Sequence, residues 1–496
     1  MHMDFIGIDV GTSGCKAAVI SEDGITKKSA RREYRMIKNE NGWAVLSLSV
    51  IWNCVKDMLK ELSAEAAEVK AMAVSSLGET IAFLDEEDHL LLDEGITYMD
   101  KRNQDVWKKL KHSVSEDELY QITGKTQPQI ATVNQYNYWM KKEKRLFEKT
   151  KKILFIDSYI AYMLCGEAGI DYSTASNTLF FDINTYHWSE KLAQTFGIQT
   201  ELFPQVSRAG SRLGRIRKKI SIELGLPDDI EILTGCHDQI SATVGAGVTE
   251  SGDVILGEGS TETLNFLFSV DELQKMKSAV MPIEPFVEKG KYLSMQSRLM
   301  HGNCIKWFAA NFGDSHDSLY RKECSNVYDK LNQKCAADSN GVIFLPYFSE
   351  TYFTDIEYAM GSFIGMTTST TVYQLYRAML EGLACETRRM FRTLEQCGVN
   401  VNTVTAAGGA SGSSVYMQIK ADIIGKEIRT LSNTEAGING LAILCATEKR
   451  CFSSLAEAAK QFVHPRQNFG VLKDEVIIPK RYEQISKAIL TVYKKF

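Results

Sequence analysis

The chain has 496 residues, with 44% hydrophobic and 24% charged side chains and a formal net charge of −5. That length predicts two or more domains, and the mild acidity argues against a general nucleic-acid or membrane-surface binder. No apolar run reaches the roughly 18 residues a membrane helix needs. The start, Met1-His2-Met3-Asp4, lacks a signal-peptide pattern, and none of the 11 cysteines forms a Cys-x-x-Cys pair. The expectation is a cytoplasmic protein with free, mostly buried thiols, without zinc ribbons or redox motifs.

In chain order, residues 4–20 read as a β-hairpin, with apolar runs flanking Gly11-Thr12-Ser13-Gly14. Ile51, Val55, Met58 and Leu62 form the apolar stripe of an amphipathic helix over 49–64. A strand is expected at 69–75, helices at 154–165 and 188–196, and a strand at 230–233. A second cycle begins near Gly245-Ala246-Gly247-Val248, with a strand at 253–257. A long helix over 372–396 carries Val372, Leu375, Met379, Leu383 and Met390 and is stopped by Gly398. A strand at 402–407 and a helix from about 413 to 424 follow. Strand, turn and helix recur in both halves, which predicts two α/β domains with related cores, 1–245 and 246–496.

Two turns half a chain apart carry the most information. The first runs Asp9-Val10-Gly11-Thr12-Ser13-Gly14-Cys15-Lys16. The second runs Gly257-Glu258-Gly259-Ser260-Thr261-Glu262-Thr263. Glycine lets backbone N–H groups turn toward an anion, and Ser and Thr add hydroxyl donors. Two such turns facing each other would hold a polyphosphate. An Asp ending a buried strand needs a partner, and hydrated Mg²⁺ suits one carboxylate. Gly11, Thr12 and Ser13 would cradle phosphate, with Lys16 adding positive charge. The plain alternative is a hairpin turn with a capping Asp.

Two motif fragments fail on inspection. Gly124-Lys125-Thr126 resembles the end of a P-loop, but Leu119 stands where the first glycine belongs. Gly257-Glu258-Gly259 opens a dinucleotide fingerprint, but Glu262 replaces its third glycine. Thr234-Gly235-Cys236-His237-Asp238-Gln239 is more informative: it follows a strand and precedes a small-residue helix from Ser241. A carboxylate at that strand end can take the proton of an attacking alcohol. Asp238 could equally be a helix N-cap. Gly78, Glu79, Asp100 and Arg102 lie in polar clusters of the kind that read sugar hydroxyls, or that simply form loop ion pairs. Gly408-Gly409-Ala410 forms a strand-to-helix turn where a purine could lie on bare backbone, or an ordinary tight turn.

Taken together, these residues resemble the FGGY family of carbohydrate kinases, over nearly the whole chain. The most specific match is Gly361-Ser362-Phe363-Ile364-Gly365-Met366, then seven residues, then Gln374-Leu375-Tyr376-Arg377-Ala378-Met379-Leu380-Glu381. Further landmarks are Gly42-Trp43-Ala44, Asp171-Tyr172-Ser173-Thr174-Ala175-Ser176, Phe181-Asp182, residues 302–307 and Phe344-Leu345-Pro346-Tyr347. The resemblance implies an α/β chain of two actin-like ATPase domains, each ribonuclease-H-like, flanking an ATP and sugar cleft. It implies that Asp9 positions Mg²⁺, that Gly11, Thr12, Ser13 and Lys16 meet phosphate, and that Asp238 is the general base. It further implies that Gly259, Ser260 and Thr261 contact phosphate, and that Gly408, Gly409 and Ala410 line the adenosine site. Glu79, Asp100 and Gly78 would bind the polyol.

The resemblance has departures. Gly78 stands where relatives carry Arg or Gln-Met, Ser349-Glu350-Thr351-Tyr352-Phe353 replaces a Gly-Glu-Arg-x-Pro stretch, and Met360 replaces an Arg. The expected reaction is transfer of the γ-phosphate of ATP to a small sugar or polyol, with a ketose such as xylulose leading. Gluconate, glycerol and erythritol stay open, as does a non-catalytic nucleotide-gated binding protein on the same fold. No nucleic-acid or membrane partner is expected, and the resemblance is compatible with a homodimer.

Overall fold

The computed structural model describes residues 2–298, 301–313, 326–348, 360–432, 435–473 and 477–493. The divergent stretch 349–353 lies outside the described residues. The chain forms two compact units, neither a single segment. The first comprises Met1–Ser251, Leu267–Ser294 and Glu435–His464; the second comprises Gly252–Phe266, Met295–Thr434 and Pro465–Phe496.

In the first unit, β1 (Asp4–Val10) and β2 (Gly14–Ser21) form the expected hairpin, and β3 (Thr26–Glu33) continues it antiparallel. On the other side, β4 (Val69–Ser76) and β5 (Glu231–Leu233) add in parallel. Helix α1 (Leu48–Leu62) buries Ile51, Val55, Met58 and Leu62 on this sheet, the stripe expected from their spacing. Ser47 caps it, its side chain accepting from the Val50 N–H. The core, which includes Ile6, Ile8, Val10, Met72 and Val74, is fully buried.

Helix α2 (Asp238–Gly245) and the helix Ala436–Glu448 cross at backbone distance. A Cβ on Gly245 would stand 1.8 Å from the Ala436 carbonyl oxygen, and one on Gly440 would stand 1.9 Å from that of Ser241. Only glycine permits this approach. The same helix lies against β1, where a Cβ on Gly7 would meet the Ile438 carbonyl oxygen at 2.7 Å.

In the second unit, β6 (Val254–Glu258) pairs with the first five residues, 262–266, of β7 (Glu262–Ser269) in another hairpin. Helices α3 (His301–Phe312) and α4 (Val372–Gln396) follow in the chain. Strand β8 (Val404–Ala407) joins β6 in parallel, β9 (Ile428–Leu431) joins β8 in parallel, and β10 (Pro465–Phe469) closes the edge antiparallel. Helix α5 (Ser414–Ile424) connects β8 to β9. An antiparallel hairpin extended by parallel strands thus occurs in each unit, the arrangement of a ribonuclease-H-like core.

Three expected elements differ. Residues 152–155 are a strand, because Ile153, Leu154 and Phe155 pair with 81–84 and are buried; the helix begins only at Ile156. His187 and Trp188 form a short strand before the helix Glu190–Phe196. The helix expected from Ser241 begins at Asp238 itself. No helix among the described residues is long and apolar enough to cross a membrane.

Candidate active site

Strand register assembles the first group of residues. Asp9 pairs opposite Lys16 on β2 and opposite Ser75 on β4. The Ser75 hydroxyl donates to Asp9 Oδ1 at 2.8 Å. Cys236 pairs with Ser75, so the strand that delivers His237 and Asp238 runs beside the same position. Burial pushes the Asp9 carboxyl up to about 6, the Asp238 charge adds to the rise, and Ser75 and Lys16 partly oppose it. Lys16 Nζ meets Glu435 Oε2 at 2.6 Å. A Cβ on Gly437 would stand 3.6 Å from Asp9 Oδ2, so the glycine keeps that flank of the carboxylate uncrowded. In the adjoining turn, the Gly11 N–H donates to the Gly14 carbonyl at 3.0 Å, and Tyr34 Oη donates to the Gly11 carbonyl at 2.6 Å. Ser13 is exposed and Thr12 half-buried.

Asp238 is the first residue of α2, and the N-cap position belongs to His237. Its side chain is 36% exposed, while that of His237 is 11% exposed. His237 Nε2 lies 3.3 Å from Asp238 Oδ1, and His237 Nδ1 lies 2.8 Å from Glu284 Oε1. Lys125 Nζ sits 3.4 Å from Glu284 Oε2 and donates to Asn177 Oδ1 at 2.7 Å. Burial alone would lower the His237 proton affinity; Glu284, Asp238 and Glu79 reverse this and raise its pKa to about 10. Enclosure raises the Asp238 carboxyl, His237 pulls it back, and Glu284 raises it further. The His237 N–H donates to Ser173 Oγ at 3.0 Å, and that hydroxyl donates to Asp171 at 2.6 Å. The segment beginning Asp171-Tyr172-Ser173 therefore holds the histidine's backbone.

Glu79 faces the same group. Burial pushes its carboxyl up to about 7, with His237 and Lys125 opposing and Asp238 and Glu284 adding. Its backbone carbonyl accepts from Thr132 Oγ1 and Gln135 Nε2, both at 2.9 Å. A Cβ on Gly78 would stand 2.4 Å from Asn177 Nδ2 and 3.3 Å from His237 Cδ2. Glycine there lets the chain close on both side chains. Asp100 stands apart: its carboxylate accepts from the Ala44 and Arg102 N–H groups and, twice, from the Arg102 guanidinium. That guanidinium lies 4.3 Å from the Trp43 ring centroid.

The second unit carries the remaining residues. Gly259, Ser260 and Thr261 join β6 to β7, with Gly259 and Ser260 exposed. The Gly302 N–H donates to the Gly259 carbonyl at 3.1 Å. Gly408 has φ +113°, and a Cβ there would meet the Glu258 carbonyl oxygen at 2.8 Å. Gly409–Gly412 forms a single 3₁₀ turn leading to α5. A Cβ on Gly409 or Gly412 would meet nothing within 4 Å, so one side of this turn is open.

Glu284, Lys125, Asn177 and Glu435 were not singled out from sequence for this chemistry. Lys125 was visible only inside a failed P-loop fragment, and Glu284 lies in a stretch with no motif. Long-range contacts alone bring Glu284 to His237, Lys125 to Glu284 and Asn177, and Glu435 to Lys16.

Comparison with known proteins places the chain. Residues 5–245 match the N-terminal domain, and residues 259–448 the C-terminal domain, of the FGGY family of carbohydrate kinases. A xylulose kinase of Staphylococcus epidermidis is 24% identical over 504 residues, covering 99% of this chain and 96% of the relative. The structure of a ligand-bound xylulose kinase from Lactobacillus acidophilus aligns with a TM-score of 0.82 at 22% identity, covering 99% of this chain and 97% of the other. That of a gluconate kinase from Lactobacillus acidophilus aligns with a TM-score of 0.85 at 21% identity, covering 100% of both. These likenesses establish the fold and do not separate the substrates. The chain belongs to the FGGY family of carbohydrate kinases, phosphotransferases that act on a sugar hydroxyl.

Proposed function

We propose that this kinase transfers the γ-phosphate of ATP to a hydroxyl of a neutral ketose or polyol, with xylulose as the leading acceptor. The observation that carries the reading is the accessible Asp238 carboxylate backed by His237 and Glu284, with Glu79 beside it. Asp238 accepts the proton of the attacking hydroxyl. His237 fixes the carboxylate's orientation and, as a cation, opposes the rise in the Asp238 pKa that burial imposes. Glu79 and the backbone at Gly78 bind acceptor hydroxyls, and Asp100 contributes through Arg102 and Trp43.

The residues present fit a hydrated divalent cation, which we take to be Mg²⁺. Asp9 offers a carboxylate at a strand end whose pKa is raised first by burial and then by the Asp238 charge, a setting in which a nearby cation would favour the ionised form. The cation would neutralise charge on the phosphoryl oxygens. Thr12, Ser13 and Lys16, on the turn that Gly11 opens, and in the second unit Gly259, Ser260 and Thr261, supply phosphate donors. Gly408, Gly409 and Ala410 take the adenosine.

Charge favours a neutral acceptor over a hexonate. Around Asp238 stand Glu79 and Glu284 as well as His237 and Lys125, and both cations are already engaged by Glu284. A sugar carboxylate would find no free cation among these groups. The test is ADP release with Mg-ATP across ketoses, pentitols, hexonates and glycerol. Xylulose or another neutral sugar should respond most strongly. A response confined to gluconate overturns the charge argument. Silence across the panel, with ATP still bound, favours a non-catalytic binding protein.

A further inference from the structure

The second unit contains a buried charge cluster that the phosphotransfer chemistry leaves unused. Glu258 ends β6 and Glu262 opens β7, so their carboxylates sit on the two stems of the Gly259-Ser260-Thr261 turn, paired in register. Glu258 is 1% exposed, while Glu262 and Lys420 are 0% exposed. The Lys420 ammonium donates to Glu258 Oε1 and, at 2.7 Å, to Glu262 Oε1. His301 Nε2 lies 3.1 Å from Glu258 Oε2, and its Nδ1 lies 3.4 Å from Glu262 Oε2. Thr387 Oγ1 donates to Glu262 at 2.8 Å.

Two carboxylates and a histidine of this kind could hold a metal, but here the ammonium already stands between the carboxylates. Stability alone does not account for the cluster, since buried ion pairs are often matched by apolar residues of similar volume. What charge-assisted hydrogen bonds add is short, directional geometry. The backbone contacts converge on the same place. Gly408 backs onto Glu258, and Gly302, the neighbour of His301, would bring a Cβ within 2.3 Å of the Gly259 carbonyl oxygen. Lys420 lies on α5, whose first turn follows the Gly409–Gly412 turn directly.

We propose that Lys420 is a positioning residue for nucleotide: it ties both stems of the Gly259–Thr261 turn to α5, holding that turn in register with the glycine turn at the head of the same helix. The inference rests on reading those two turns as nucleotide contacts.

The test is ATP affinity of the full chain by calorimetry, without acceptor, alongside thermal melting. Lys420→Met should weaken ATP binding on the order of tenfold. E262Q keeps the side-chain volume and should weaken it severalfold; it decides alone if Lys420→Met does not fold. Ser260→Asp, at the exposed tip of the turn, asks separately whether the turn meets phosphate. If Ser260→Asp leaves ATP affinity unchanged, the phosphate reading falls and the proposal with it. If Ser260→Asp abolishes binding while the folded cluster variants stay within about twofold of wild type, the reading stands and the positioning role is overturned. A lowered melting temperature at unchanged affinity marks a purely structural cluster and also overturns it.

Discussion

His237 Nε2 lies 3.3 Å from Asp238 Oδ1, while the opposite ring nitrogen is 2.8 Å from Glu284. The imidazole therefore sits between two carboxylates, one accessible and one buried. This raises the imidazole's pKa to about 10, fixes the orientation of Asp238, and sets a positive charge against the rise that burial imposes on the Asp238 carboxyl.

Removing the acceptor carboxylate is the direct test of its role. Asp238→Asn should lower kcat by roughly 10²–10⁴-fold while ATP affinity changes little. Steady-state kinetics and ATP calorimetry measure the two quantities. A near wild-type kcat would refute the base assignment.

The His237 environment predicts a stability profile. Its folded pKa, about 10, lies above the ordinary value of 6.5. The imidazolium therefore contributes stability that is complete below pH 6.5 and is lost as pH rises through about 10. In Glu284→Gln the main stabilising charge is gone, so the folded pKa drops toward 6.5 and the loss, which still begins near pH 6.5, is smaller and ends at lower pH. Urea midpoints from pH 6 to 10 would show it as a smaller fall that levels off earlier than in wild type. Superimposed curves would mean Glu284 does not set the charge state.

Glu79 titrates near neutrality, at about 7. If its ionised form accepts hydrogen bonds from the sugar's hydroxyls, kcat/KM for the acceptor should rise through pH 7. Glu79→Gln should remove that limb and raise the acceptor KM by about tenfold, leaving the ATP KM unchanged. Equal effects on both substrates would place Glu79 outside the acceptor site.

Gly235 is required by packing. A Cβ there would lie 1.5 Å from the Val74 carbonyl oxygen, closer than any contact allows. Gly235→Ala must push the strand bearing His237 away from β4, at a cost of about 3 kcal/mol or more. Denaturant unfolding would measure this. A loss below about 1 kcal/mol would show that the strand relaxes freely.

The sequence by itself determined the hairpins, the amphipathic stripes, the glycine turns and the family. Each is written in local spacing: Ile51, Val55, Met58 and Leu62 describe one helix face, and Gly11-Thr12-Ser13-Gly14 describes one turn. Short apolar runs were ambiguous, and 152–155 became a strand only because 81–84 offered a partner. The contacts behind His237 could not be read locally, since Glu284 and Lys125 are far from it in the chain. Nor could the clip at Lys420, which meets Glu258 and Glu262 across more than 150 residues. Those pairings depend on which segments pack together, and burial in a shared low-dielectric setting is what turns their charges into chemistry.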